Sequence, residues 1–280
     1  MYRALVPGAI GLKVPFAEAA RLAEKYGFQG IGLGMGELKE LGLDEVRRLL
    51  RDHHLVPALS WIPVNFRQDE ATFERDLAEL PAFCQMMADL GCTRLTTWLM
   101  PWHETLPYQA HFAQLRERTA RICEVLARYG LRYGLEFVGP ETSRAGKPYP
   151  FIHDLAGLLE LIRAVGAKNL GVLLDCWHWY TSGGTAEDLA QLSDDLVVAV
   201  HVNDAPAGIP REQQIDSARA MPGETGVIDI ATFMRALDRM AYSGPIVVEP
   251  FCAWLKELAP EEAVAATAKS LDKIWALAGL

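Results

Sequence analysis

Glu136, Asp175, His201 and Glu249 each close a short apolar run. The runs read Leu-Arg-Tyr-Gly-Leu-Glu136, Leu-Gly-Val-Leu-Leu-Asp175, Val-Val-Ala-Val-His201 and Pro-Ile-Val-Val-Glu249. An apolar strand that stops on a charged group presents that group at the strand's carboxyl end, which in α/β proteins is where chemistry is done. One imidazole and three carboxylates converging there form an oxygen- and nitrogen-donor set for a divalent ion. Mn²⁺ is the ion expected, with Mg²⁺, Co²⁺ and Zn²⁺ also compatible. The absence of a thiolate from the set argues against a structural zinc site. Two of the four are glutamates, so the same residues provide a catalytic acid/base pair. A single glutamate at one strand end would read as a surface salt bridge; four such ends on successive strands read as a site.

These residues must be positioned by a regular frame. Eight β-like runs are expected at roughly Ala4–Ala9, Gly30–Gly34, Val56–Trp61, Arg94–Trp98, Arg132–Phe137, Leu170–Asp175, Leu196–Val202 and Pro245–Glu249. Helical periodicity separates most of them. Phe16–Tyr26 ends at Gly27, Leu43–His53 begins near Asp44, Phe112–Tyr129 ends at Gly130 and His153–Val165 ends at Gly166. Asp229–Met240 and Glu261–Ala278 complete the pattern. Thr72–Leu90 contains Pro81, which predicts a kink or two pieces. The short Thr185–Leu192 is the weakest unit, yet long enough for a crossover helix. Continuous apolar strands alternating with helices indicate a parallel sheet, and eight such units in 280 residues predict one (β/α)8 TIM barrel spanning residues 1–280.

Strand parity refines the site. His201 shares its face with Ala199 and Asn203, while Val198, Val200 and Val202 share the other and are expected to meet the helices. Glu136 shares its face with Gly134, which leaves room beside the barrel axis. The stretch from Asn203 to Ile228, rich in Pro, Gly and charge, leaves the seventh strand on the carboxyl side and is long enough to fold over the site.

Composition narrows the function classes. A net charge of −9 opposes a phosphate-binding surface, so no nucleic acid partner is expected. No apolar run approaches the roughly 18 residues that would span a membrane. The five cysteines, Cys84, Cys92, Cys123, Cys176 and Cys252, are odd in number and include no Cys-x-x-Cys pair. They indicate small buried hydrophobes in a reducing compartment, and with no signal peptide the expected location is the cytoplasm.

Glu136, the run Asp175-Cys176-Trp177-His178, His201 within His-Val-Asn-Asp, Glu249 within Val-Val-Glu-Pro, and the turn Pro222–Asp229 together resemble the xylose isomerase-like TIM barrels. The branch resembled is the sugar (phosphate) isomerase/epimerase group, which includes ketose 3-epimerases and inosose dehydratase and, more distantly, the type IV apurinic endonucleases. The resemblance covers essentially the whole chain. It implies that Glu136, Asp175, His201 and Glu249 hold the metal, and that Glu136 and Glu249 exchange a proton with a carbon beside a substrate carbonyl through an enediolate. Reprotonation on the opposite face gives epimerisation, and reprotonation of the neighbouring carbon gives isomerisation. Loss of a β-substituent gives a lyase or dehydratase acting on an inosose or 3-keto-glycoside. The implied partner is a small carbohydrate, and a homo-oligomer fits the resemblance although no heptad marks an interface.

Further substrate-binding candidates surround this set. By the same resemblance His178 contacts substrate oxygens, and an arginine of the long loop, Arg219 or Arg211, reaches the substrate. Asp204 either orients His201 or caps the loop. His103 follows the fourth strand near the mouth, whereas His53 and His54 belong to the opposite face. Trp61, Trp98, Trp102, Trp177, Trp179 and Trp254 all fall at or after strand carboxyl ends. They either wall a pocket, with Trp102 and Trp177 the candidates nearest the site, or pack beneath loops. A repair nuclease needs further histidine and carboxylate ligands and a basic groove, which an acidic chain with seven histidines does not provide. A non-catalytic binding protein would not need both glutamates.

Overall fold

The computed structural model describes residues 1–280. In chain order the elements are β1 (Tyr2–Leu5), α1 (Phe16–Lys25), β2 (Gly30–Leu33), α2 (Met35–Leu41), α3 (Leu43–Asp52), β3 (Val56–Trp61), α4 (Glu70–Leu90) and β4 (Arg94–Trp98). They continue with β5 (Trp102–His103), α5 (Tyr108–Ala127), β6 (Arg132–Glu136), β7 (Tyr149–Pro150), α6 (Leu155–Val165), β8 (Leu170–Asp175), α7 (Cys176–Thr181) and α8 (Ala186–Leu189). The chain closes with β9 (Val197–Val202), α9 (Ile230–Arg239), β10 (Pro245–Val248) and α10 (Pro260–Ala278). Eight parallel strands form a closed barrel in the order β1-β10-β9-β8-β6-β4-β3-β2. The fold is a TIM barrel, as expected. No helix is long and apolar enough to cross a membrane.

Several expectations need correction. The first strand stops at Leu5, because Pro7 opens a short 3-10 turn over Pro7–Ile10 in place of the expected extension to Ala9. Pro81 does not split its helix: α4 is continuous over Glu70–Leu90. Its buried stripe of Phe73, Leu80, Cys84 and Met87 crosses the proline without interruption, so packing on both sides outweighs one lost backbone bond. Three features were not anticipated: α2 after the second strand, α7 directly after β8, and a two-stranded antiparallel ribbon, β5 with β7, pairing Trp102 with Pro150 and His103 with Tyr149.

The expected parity holds for Val200 and Val202, which pack in the outer core beneath the helices, while Ala199 lies in the inner cluster with Ala4, Ala58, Leu59, Leu173 and Val247. It fails for Val198. The β8–β9 register shifts between Val172↔Val197 and Leu173↔Ala199, a bulge that places two consecutive residues on the inner side. Val198 therefore fills the room beside Gly134: a Cβ added to Gly134 would lie 2.9 Å from that of Val198, and one added to Gly171 would lie 3.0 Å from a Val198 methyl. The room expected beside Glu136 is thus occupied lower down, and the glycines accommodate the bulge.

A methyl group at Gly171 would also overlap the Leu196 carbonyl oxygen, which is backbone and cannot swing away. Gly171→Ala is expected to lower the unfolding free energy by about 1–3 kcal/mol, read as a lower urea midpoint at unchanged slope.

Candidate active site

The four strand-end residues meet at the carboxyl mouth. The potential ligand atoms of Glu136, Asp175, His201 and Glu249 all lie within 4.8 Å of one another, and all four side chains are buried. The ladder explains the convergence, since Asp175 pairs with His201 across β8 and β9, and the Glu249 amide donates to the Val202 carbonyl just beyond β10. His201 Nδ1 stands 3.5 Å from Glu136 Oε1 and 3.4 Å from Glu249 Oε2, so the imidazole lies between the two glutamates.

Second contacts fix the geometry. Asp175 Oδ1 accepts from the Trp177 amide at 2.8 Å and from Asn203 Nδ2 at 2.9 Å. Asn203 Nδ2 also reaches the Glu249 carbonyl at 3.3 Å and so links three strands. Arg219 Nη1 donates to Asp175 Oδ2 at 2.7 Å and approaches Glu249 Oε2 at 3.3 Å. Its Nε and Nη2 bind the Asp216 carbonyl and carboxylate, both at 3.0 Å. The guanidinium lies between the Trp177 and Phe251 rings, 5.2 and 4.5 Å from their centroids.

Three carboxylates sharing a buried space repel one another. Burial, partly relieved by His201 and reinforced by Glu249 and Asp175, pushes the Glu136 carboxyl up to about 8. Burial works against a charged His201 ring, but Glu249 and Glu136 outweigh it and hold the imidazole well above its ordinary value. Glu249 is disfavoured by burial yet held below the usual carboxylate range by His201 and Arg219. Glu136 Oε1 and His201 Nδ1 are buried without a well-formed hydrogen bond. Unsatisfied donors facing one point, with an excess of negative charge, fit a divalent cation held by these four residues.

His178 is nearly fully buried at the edge of this set, with Nε2 4.0 Å from Glu136 Oε2 and 3.9 Å from Asp175 Oδ2. Burial pushes its imidazole down to about 3, so the ring is neutral. Nδ1 accepts the Gly139 amide at 3.2 Å, which leaves the proton on Nε2, facing the carboxylates. Gly139 is required there: a side chain would meet the His178 carbonyl and Thr181 Oγ1.

A cavity of about 430 Å³ opens over the cluster. Its wall brings together Glu136, Glu249, His178 and Arg219 with Trp61, Trp98, Met100, Phe251 and Asp216. Several candidates therefore lie where expected, and Arg219 rather than the exposed Arg211 is the loop arginine that reaches the centre. Others do not. Trp177 is fully buried and supports Arg219 from below, so it is not a wall of the cavity. Trp179 packs on Phe233 and Trp254 lies in a separate surface groove. Trp102 and His103 line an adjoining cavity instead, and His103 Nδ1 is taken by the Thr105 and Leu106 amides at 3.0 and 2.9 Å. Asp216 and Phe251 were not anticipated: Asp216 sits in an aperiodic loop, and Phe251 lies beyond the end of β10 with a left-handed backbone, φ 43°, where strand alternation no longer applies. All five cysteines are buried and unpaired, and Cys176 and Cys252 stay out of the cavity wall.

Asp204 caps the loop and does not orient His201. Its carboxylate accepts from the amides of Ala205, Thr225, Gly226 and Ile228 at 2.8–3.0 Å, and its backbone pairs with Ala220 in both directions. These bonds hold the loop after β9 so that Arg219 points inward. Asp204→Ala leaves those four amides without their acceptor, at a cost of about 1–3 kcal/mol or more. Hydrogen exchange should accelerate at Thr225, Gly226 and Ile228 while the β6 and β8 amides stay protected.

Comparison with known proteins places the chain. Residues 20–274 match the family model described as xylose isomerase-like TIM barrel. The chain is 26% identical over 236 residues to an inosose isomerase of Halalkalibacterium halodurans, covering 81% of this chain and 78% of that protein. It superposes on a xylose isomerase domain protein from Alicyclobacillus acidocaldarius with a TM-score of 0.90 and 31% identity, over the full length of both. It also superposes on the IOLI protein crystallised with a zinc atom, with a TM-score of 0.84 and 21% identity over 98% of each chain. A family model spanning nearly the whole sequence and a barrel of the same construction establish that this chain belongs to the xylose isomerase-like TIM barrel family.

Proposed function

We propose that the protein is a divalent-metal-dependent isomerase or epimerase acting on a sugar, keto-sugar or polyol, with Glu136, Asp175, His201 and Glu249 as metal ligands and Glu136 and Glu249 as the acid/base pair. The observation that carries this reading is the pair of buried glutamates on either side of His201, both facing one cavity. Kinship with an inosose isomerase supports the substrate class, and the zinc atom in a structural relative supports a divalent ion.

A divalent ion in this donor set supplies Lewis-acid polarisation of the substrate carbonyl. The protein's residues do the remainder. Arg219 contacts Glu249 and not Glu136, which favours an ionised Glu249 as the base that takes a proton from the carbon beside the carbonyl. Glu136, on the other side of His201, is the carboxylate placed to carry a proton back from the opposite face. His178 Nε2–H is placed to donate to a substrate oxygen, and Arg219 is oriented by Asp216 and two aromatic rings to hold another. Trp61, Trp98 and Phe251 exclude water from the ring's apolar faces.

The test is deuterium exchange into ketoses and inososes in D₂O, with the protein stripped of metal and then reloaded with Mn²⁺, Mg²⁺, Co²⁺ or Zn²⁺. Metal-dependent incorporation at constant carbon skeleton is expected, with Glu136→Gln and Glu249→Gln each lowering the rate by about 10²–10⁴. Incorporation accompanied by loss of water would assign a dehydratase, and the absence of both exchange and metal uptake would overturn the reading. Metal binding has its own pH signature. Glu136, raised to about 8, and His201, raised above its ordinary value, must both give up protons to act as ligands. Affinity should therefore rise from pH 5 to pH 8, with protons released on binding, measurable by calorimetry in buffers of different ionisation enthalpy.

A further inference from the structure

Beside the cavity over the carboxylates lies a second one of about 190 Å³, with Phe66, Trp102, His103 and His111 in its wall together with the charged Arg67 and Glu104. The two share Met100 and are separated by a stack in which the Arg67 guanidinium lies 4.0 Å from the centroid of Trp98, itself a wall of the first cavity.

Its walls are braced. Arg118, almost wholly buried, donates to the Phe66 and Gln68 carbonyls at 2.8 and 2.6 Å and pins the loop that carries Phe66 and Arg67. On the other side the β5–β7 ribbon holds Trp102 and His103, and the Phe151 amide donates to the Pro101 carbonyl at 2.8 Å. Neither wall is needed to close the barrel.

The polar chemistry is specific. The His111 ring is 5% exposed and lines the cavity; its Nδ1 is enclosed by protein without a hydrogen-bond partner, so any contact with a ligand falls to Nε2. It packs against Phe151 and edge-on to His103, with centroids 4.1 and 4.5 Å away. Burial and the neighbouring His103 keep it neutral, so it offers one donor and one acceptor. With Nδ1 of His103 accepting two backbone amides, that ring's remaining nitrogen is a donor. A metal is disfavoured, because one His103 nitrogen is already engaged and Glu104, although in the wall, does not converge with the two imidazoles as the strand-end carboxylates do with His201. A slot walled by aromatics, with Arg67, Glu104 and the imidazoles as its polar edge, suits a flat ring bearing a hydroxyl.

We propose that this cavity is a substituent subsite: the carbonyl-bearing ring of the substrate occupies the cavity over Glu136 and Glu249 and is joined past Met100 to a flat, largely apolar ring bearing a hydroxyl, which lies between Trp102 and His111. This rests on the carbohydrate reading above and adds that the natural substrate is a conjugate rather than a bare monosaccharide or inosose.

The test is calorimetric titration of the metal-loaded protein with methyl and 4-hydroxyphenyl D-glucopyranosides, both anomers of each, which are stable ligands differing only in the substituent. At least one hydroxyphenyl anomer is expected to bind tenfold or more tightly than its methyl counterpart. Trp102→Ala and His111→Phe should each abolish that gain while leaving methyl glycoside and metal affinities unchanged, which also shows that the variants are folded. If wild type binds both substituents equally, or the gain survives in both variants, the subsite is refuted and the carbohydrate reading stands. Binding of no glycoside also refutes the subsite, while deuterium exchange into ketoses and inososes decides the carbohydrate reading on its own.

Discussion

Negative charge crowded into a buried space is the condition that the rest of this structure serves. Glu136, Asp175 and Glu249 converge with His201 at the barrel mouth, each almost out of contact with water. Desolvating a carboxylate costs several kcal/mol even after the protein relaxes, and like charges add to it. The compensating groups are visible: Asn203 and the Trp177 amide on one oxygen of Asp175, and Arg219 on the other and on Glu249. Nothing comparable serves Glu136 Oε1 or His201 Nδ1. A cluster whose charge is only partly balanced, with its free donors aimed at one point, is arranged to receive a cation.

The frame meets this condition by two devices. Parallel strands in register carry side chains of equal parity to the same height, so residues far apart in sequence meet without any local signal. The bulge at Val198, accommodated by Gly134 and Gly171, fills the barrel beneath the cluster with apolar volume. The site therefore rests on a packed floor. Above it the loop from Asn203 to Ile228 behaves as a structured lid support: Asp204 gathers four backbone amides, and Arg219 and Asp216 are delivered to the cavity wall as a bonded pair.

Much of this was legible from residue order. The eight runs correspond to the barrel strands within a few residues, and those that end on Glu136, Asp175, His201 and Glu249 carry these groups to one place because a strand's carboxyl end is fixed by its own polarity. Helix stops were legible where a glycine in the left-handed region ends the helix, as at Gly130 and Gly166. Failures came where a local signal met a stronger long-range one. Pro81 reads as a break, but the buried stripe of α4 holds the helix through it. Val198 reads as outward by alternation, but a bulge cannot be seen in one strand alone, since it is a mismatch between two.

By itself the sequence determined the barrel, the cluster of one histidine and three carboxylates at its mouth, and the loop that lies over it. These depend on strand polarity, apolar periodicity and connection length, all properties of contiguous residues. Only the tertiary structure decided which arginine faces the carboxylates, that Asp204 organises the loop rather than His201, that Trp177 supports while Trp61 and Trp98 line the cavity, and that Trp102 and His103 belong to a neighbouring cavity. Each of these is settled by the direction of a side chain relative to a distant segment, and that direction is set by packing between strands and loops that no local pattern encodes.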